Sequence, residues 1–342
     1  MLKTAKQALL RTVKAAGLFH AVADSPWRRN RLLILGYHGI SLADEHEWNR
    51  GLYIQPSVLR QRFEMLRDGG YRVLPLEEGL HRLFGGKLPP RSVAITFDDG
   101  AYDFYAAAYP LLREFNFPAT LYLSTFYCRY QAPVFDTVCS YILWKGQGRT
   151  FDGAGFVPEG GPIAIPNPRE ALAAYRRIHR YVRAAHLSAE KKEELARELA
   201  RRLGVDYQAI RQKRMLYLMT PAEVAEAAAG GVSIQLHTHR HRTPLDRQLF
   251  IREIRDNIRE IQDITGTRPA HFCYPSSHYQ PQFGFWLREL GVVSAAAGQT
   301  GLASPSSDPL CLPRLLDVEG LSPIEFEGWL TGINTWLPRR KK

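Results

Sequence analysis

The sequence predicts an α/β fold of parallel βαβ units, a barrel-sized body that carries a helical insertion. Three features point to it. Short apolar, β-branched runs alternate with segments of helical apolar spacing over residues 32–129 and again over 216–334, the pattern of βαβ units. Residues 130–215 interrupt that rhythm with a Gly- and Pro-rich stretch followed by one rich in Ala, Arg, Glu and Leu. Two clusters of polar, chemistry-bearing side chains each follow directly on a strand-like run, the end where parallel barrels place their active sites. At 342 residues the chain can bury a large core, and its 45% hydrophobic content is ordinary for a globular protein.

In chain order, residues 1–31 form a basic amphipathic segment, with a helix over 1–20. Leu2, Ala5, Leu9, Val13 and Ala16 share one face of it at helical spacing, with Lys3, Arg11 and Lys14 on the other side and Leu10 and Leu18 out of pattern. Leu32 to Tyr37 reads as the first core strand. Helices follow over 56–69 and 76–84, each stopped by a Gly-Gly pair, with a short strand at 71–74 between them. Ser92 to Ile95 is a buried strand, 102–115 a helix and 119–123 another strand. Inside the insertion, 146–168 reads as loop, and Ser188 opens a helix with Leu195, Leu199 and Leu203 on one stripe, ended by Gly204. The alternation resumes with a helix over 221–229, a strand over 231–236 and a helix over 244–264. Strands at 271–274 and 292–295 flank a helix over 280–290.

The net charge of +11 is unevenly spread: residues 1–31 carry +6, the tail Arg339-Arg340-Lys341-Lys342 carries +4, and the body is nearly neutral. Basic ends argue for an anionic surface, a membrane rather than nucleic acid, since no nucleic-acid motif is present. Solvated tails without a partner are the alternative. Ala21-Val22-Ala23 looks like a signal-cleavage site, but Lys14 and His20 leave too short an apolar run before it. No run reaches the ~18 apolar residues of a membrane span. The expectation is a cytoplasmic protein, either peripheral at the inner membrane face through the 1–20 helix or with that helix packed on the body. Export is the weaker expectation. Four dispersed cysteines without a CxxC pair fit reduced thiols.

The chemistry concentrates at Thr96-Phe97-Asp98-Asp99-Gly100 and at His237-Thr238-His239-Arg240-His241. Two carboxylates at a strand end repel each other unless a cation lies between them. Alone they also fit an ordinary Asp-Gly turn. His237 and His241 are four apart, so one helical turn would bring both imidazoles to the same side. Two His and a carboxylate make a common divalent-metal set. His38, just after the first strand, is a candidate to line the site or a hydrogen-bonded structural residue.

These motifs, in this order, resemble the polysaccharide deacetylase family, also called the NodB-homology or carbohydrate esterase 4 family. Phe117-Pro118-Ala119-Thr120-Leu121-Tyr122-Leu123, Phe272-Cys273-Tyr274-Pro275 and Leu312-Pro313-Arg314 resemble further family segments. Ile34-Leu35-Gly36-Tyr37-His38-Gly39-Ile40 resembles the opening strand of members serving exopolysaccharide synthesis. The likeness covers about 32–128 and 216–318. It implies a distorted (β/α) barrel of the NodB-homology type with a helical insertion, and a hydrolase that removes N-acetyl groups from N-acetylhexosamine units of a polysaccharide or lipid-linked glycan. It assigns Asp99, His237 and His241 to a divalent metal, zinc first among candidates, and Asp98 to the catalytic base, with Arg314 paired to Asp98. The metal would polarise the carbonyl and activate water. A backbone N–H near Tyr274 is expected to help hold the developing oxyanion. Tyr274, Pro275, His278 and Trp48 are expected at the substrate, Trp48 on a lid formed by the acidic loop 44–49, with an ordinary surface loop as the alternative. The chain departs from the pattern in having no His after His278, so the general acid falls to His278, His38 or Asp98 itself. That departure also leaves open a catalytically degraded carbohydrate-binding or scaffold protein of exopolysaccharide assembly.

Overall fold

The computed structural model describes residues 2–337; the basic tail from Arg339 to Lys342 lies outside them. Eight strands form one parallel sheet: β1 (Leu33–Tyr37), β2 (Arg72–Val73), β3 (Ser92–Phe97), β4 (Thr120–Leu123), β5 (Ser233–Leu236), β6 (His271–Cys273), β7 (Ser294–Ala296) and β8 (Leu315–Leu316). Their spatial order is β7-β6-β5-β4-β3-β1-β8, with β2 pairing beside β3. The sheet curls until its edges approach: Leu312 N–H donates to Ala295 O at 2.8 Å and Ala297 N–H to Leu312 O at 2.9 Å. The result is a distorted (β/α) half-barrel ringed by helices, the predicted class.

Every strand residue from Leu33 to Tyr37 and from Ser92 to Phe97 is buried, as expected of parallel strands covered on both faces. Alternate residues divide into two cores. Leu33, Leu35, Tyr37, Val93, Ile95 and Phe97 pack outward under the helices. Ile34, Ala94, Tyr122, Cys273 and Ala296 face inward, with Leu76, Leu80 and Leu83 of the helix Leu76–Phe84 in the same cluster. The period of two therefore carries Ala94, Thr96 and Asp98 along the inner face of β3 toward its carboxyl end.

The insertion has a core of its own, including Val138, Ile142, Ile178, Leu199 and Leu203. It is built from helices Phe135–Lys145, Pro168–Ala184, Ala189–Arg202 and Tyr207–Gln212. The stretch read as loop contains an antiparallel pair, Thr150–Asp152 with Pro162–Ala164. Three-residue strands between glycines are too short for a period to register in sequence.

The amino-terminal helix, Leu2–Ala15, packs on the late helix Pro323–Thr331, and from the face read in its sequence Val13 joins that contact. Leu10 is fully buried with Phe19 and Ile333, whereas Ala5, Leu9 and Ala16 are exposed. Polar anchors decide the rotation. Lys3 donates to Gly320 O, Gln7 to Glu325, and Lys14 pairs with Glu327 at 2.6 Å. Arg28 is buried and donates to the carbonyls of Leu330, Arg31 and Ser92. Much of the basic charge of residues 1–31 is thus engaged inside the molecule. No helix among the described residues is long and apolar enough to cross a membrane.

Candidate active site

The site lies where β1, β3, β4, β5 and β6 end. Past β3 the chain enters Asp98 and then turns with Asp99 at φ 72° and Gly100 at φ 83°. Asp99 therefore holds a left-handed backbone that a non-Gly residue rarely adopts, the strain seen at functional turns. Gly100 is required by space as well as by φ, because a Cβ there would sit 2.2 Å from Leu123 Cδ1. One step in sequence and this turn send the two carboxylates to different partners.

Asp99 faces the histidines. Its Oδ1 lies 3.1 Å from His237 Nε2 and 3.2 Å from His241 Nε2. His237 follows β5, whereas His241 returns through a loop rather than the helical turn expected from their spacing. Thr238 and His241 take φ of 63° and 51°, and these left-handed residues fold the loop back on itself. Buried polar groups on the helix Arg247–Thr265 hold it there. Glu253, 1% exposed, accepts from Arg240 N–H at 2.8 Å and pairs with Arg240 and Arg242. Asn257 accepts from His237 N–H at 3.0 Å and donates to Leu123 O and Thr125 Oγ1.

The donor set fits a divalent cation. Ligands each about 2.0–2.2 Å from one Zn²⁺ stand roughly 3.3 Å apart, and these three ligand atoms all lie within 4.8 Å of one another. The His237 ring is already oriented: its Nδ1 lies 2.9 Å from Cys273 O, so Nδ1–H donates there and Nε2 is free to ligate. Burial raises the Asp99 pKa, but the close contacts with His237 and His241 outweigh it and hold the group well below the usual carboxylate range. The same contact raises His241 against the lowering effect of its burial.

Asp98 is turned into the barrel and is 1% exposed. Arg314 clamps it with two parallel bonds, Nη1 to Oδ1 at 2.8 Å and Nη2 to Oδ2. Gly36 leaves room for that guanidinium, since a Cβ there would come within 3.2 Å of Nη1. His38 Nε2 stands 3.3 Å from Asp98 Oδ2 with its side chain 20% exposed, between the buried carboxylate and solvent. Burial raises the Asp98 pKa; the charges of Arg314 and His38 and the Arg314 hydrogen bonds overcome that and leave it lowered.

Other expected residues fall elsewhere. Tyr274 is buried, its hydroxyl donating to Leu310 O at 2.9 Å and its N–H to Ala296 O at 3.2 Å, so neither its side chain nor its N–H is turned to a substrate. Pro275 is buried beside it. His278 is exposed and bonds Thr243 Oγ1 through Nδ1 at 2.8 Å. Trp48 packs on Tyr53 and Tyr141, joining the 44–54 segment to the insertion instead of forming a sugar-facing lid. Sequence reasoning missed Cys273, Glu253 and Asn257. Cys273 is fully buried on the inner face, its Sγ 3.0 Å from Arg314 Nη2 and 3.7 Å from Asp98 Oδ2. Glu253 and Asn257 had a signal: they are polar residues on the apolar stripe of Phe250, Ile254, Ile258 and Ile261.

The family model for polysaccharide deacetylase matches residues 85–137 and 181–295. A poly-β-1,6-N-acetyl-D-glucosamine N-deacetylase of Escherichia coli K12 is 34% identical over 99 residues, covering 29% of this chain and 14% of that protein. The protein of the same name from Staphylococcus aureus MSSA476 is 28% identical over 128 residues, covering 33% of this chain and 44% of its own length. The chain thus spans less than half the length of either relative. Among solved structures, the Streptococcus pyogenes deacetylase PplD in complex with acetate superposes with a TM-score of 0.58 at 19% identity, covering 90% of this chain and 99% of that one. IcaB from Ammonifex degensii gives 0.54 at 16% identity, covering 88% and 97%. At such identities the two structures speak for the fold. Together with the motifs, the matches show a chain similar to the polysaccharide deacetylase family over 168 of its 342 residues.

Proposed function

We propose that this chain is a divalent-metal-dependent polysaccharide N-deacetylase. It hydrolyses the acetamido group of N-acetylhexosamine units, with zinc the first candidate metal and a β-1,6-linked N-acetylglucosamine polymer the first candidate substrate. The observation that carries the reading is the pair of neighbouring carboxylates with divided partners. Asp99 stands with His237 and His241, and Asp98 stands with Arg314 and His38. The family-model match and the names of the relatives support the substrate class.

Asp99, His237 and His241 would hold the cation, and a cation there supplies Lewis-acid polarisation of the acetyl carbonyl and acidifies a water. Asp98, kept ionised by Arg314, accepts a proton from the attacking water. His38, in contact with Asp98 and partly exposed, delivers a proton to the departing amine, taking the place of the late histidine this chain lacks. One amide and one water are consumed, and one free amine and one acetate leave. The test is acetate release from β-1,6-linked N-acetylglucosamine oligomers by zinc-loaded protein, beside Asp98→Asn. Release by the parent that falls at least a hundredfold in the variant supports the reading. No release from any N-acetylated glycan overturns it.

A further inference from the structure

Between the insertion and the barrel lies an open cavity of about 340 Å³ that the deacetylation chemistry does not use. Its barrel-side wall is the segment that leaves β4, with Phe126, Tyr127 and Tyr130 on it, and its far wall carries Glu190, Glu193 and Tyr207 of the insertion. We propose that this cavity is a second sugar subsite, which takes a pyranose ring of the same glycan at a distance from the unit being deacetylated. The inference rests on the deacetylase reading for the identity of the glycan.

Position is the first argument. The segment starts at the carboxyl end of β4, the end of the sheet at which Asp98, Asp99 and His237 stand. It is tied to the metal-binding loop: Thr125 Oγ1 lies 2.9 Å from His239 Nδ1, and Phe126 N–H donates to His239 O at 2.8 Å. The Phe126 ring meets His239 edge-on at 5.4 Å. The cavity wall and the metal-binding loop are therefore joined directly, through Thr125 and Phe126, at the same end of the sheet.

The lining is the second argument. A pyranose offers apolar C–H faces and a rim of hydroxyls, so it is recognised by aromatic walls with a few polar groups. Phe126 and Tyr130 lie 5.2 Å apart, and Tyr130 is 37% exposed, a large ring left open beside the cavity. Glu190 and Glu193, the latter already accepting from Arg197 at 3.2 Å through Oε1, supply carboxylate oxygens for hydroxyls on the opposite wall. Tyr207 is 7% exposed, and its hydroxyl is buried with no hydrogen-bond partner. Buried polar groups are nearly always paired, and a glycan hydroxyl held in the cavity would supply the partner Tyr207 lacks.

The test uses the full zinc-loaded chain and two probes, the dimer and hexamer of β-1,6-linked N-acetylglucosamine. Binding is read by calorimetry and acetate release in parallel, for the parent, Tyr130→Ala and Tyr207→Phe. The parent is expected to bind the hexamer about tenfold more tightly than the dimer, roughly the 1.4 kcal/mol of one added ring contact. Each variant is expected to cut that preference at least threefold while keeping the parent's melting temperature. Tyr207→Phe is the discriminating variant, because a purely packed ring loses only an unpaired hydroxyl and keeps the preference. An unchanged preference in both variants, or no preference in the parent, overturns the subsite, whether or not acetate is released. A parent that releases no acetate but binds the hexamer through these two residues overturns the deacetylase reading and leaves the subsite standing.

Discussion

Replacing Arg314 by Ala tests how the base is kept ionised. Asp98 and Arg314 are 1% and 2% exposed and share two hydrogen bonds, so both charges are held without water. Removing one partner of such a pair leaves a buried charge uncompensated and costs about 3–5 kcal/mol, a large part of the roughly 5–15 kcal/mol that holds a domain together. The loss depends on pH. The folded pKa of Asp98 is depressed below its ordinary 3.8, so the pair stabilises the parent above the ordinary carboxylate range, and that contribution is lost as pH falls through the folded value. Without Arg314, burial is opposed only by His38 and His237 and the pKa of Asp98 rises, so the variant escapes part of its penalty by protonation as pH falls. Urea unfolding of parent and variant from about pH 8 down to about pH 4 should show a gap that is widest at high pH and closes downward. The acid limb of the acetate-release profile should move to higher pH in the variant. The double variant Arg314→Met with Asp98→Asn, which removes both charges, should recover most of the stability and none of the activity. A gap below about 1 kcal/mol, or one that does not change with pH, would refute the clamp.

Two other positions give sharp expectations. His38→Gln keeps a polar side chain but cannot carry the proton to the amine. It should lower kcat about 10²–10⁴-fold with metal content unchanged, and a rate within a factor of two of the parent would remove His38 from the reaction. Glu253→Gln loosens the 238–242 loop without touching a ligand, so zinc affinity, measured by competition with a chromophoric chelator, should fall about 10–100-fold. Unaltered affinity would mean the loop holds its shape unaided.

Much of this site was legible in the sequence because strand periodicity is local. The run from Ser92 onward, read as a buried strand, puts Asp98 and Asp99 at its carboxyl end, and the run before His237 does the same. What could not be read depends on contacts distant in sequence or on backbone outside the regular periods. Left-handed Thr238 and His241 converge the histidines by a route that helical spacing does not describe. Cys273 reads as a core residue until the sheet closes and brings it against Asp98 and Arg314. The buried face of the first helix is set by Lys3, Gln7 and Lys14 reaching partners near the far end of the chain, so Leu10 goes inside where the moment of the isolated helix favours its neighbours. Trp48 looks like a sugar platform in sequence, but the insertion supplies Tyr141 for it to pack on.

The central claim is that Asp99, His237 and His241 form a metal centre. Its most direct test is elemental analysis of the protein purified without added metal, beside Asp99→Ala and His241→Ala. Close to one divalent ion per chain is expected in the parent, zinc foremost, with its loss from both variants while their folds persist. A parent that carries no ion and takes none up on titration, or variants that retain it, would contradict the account.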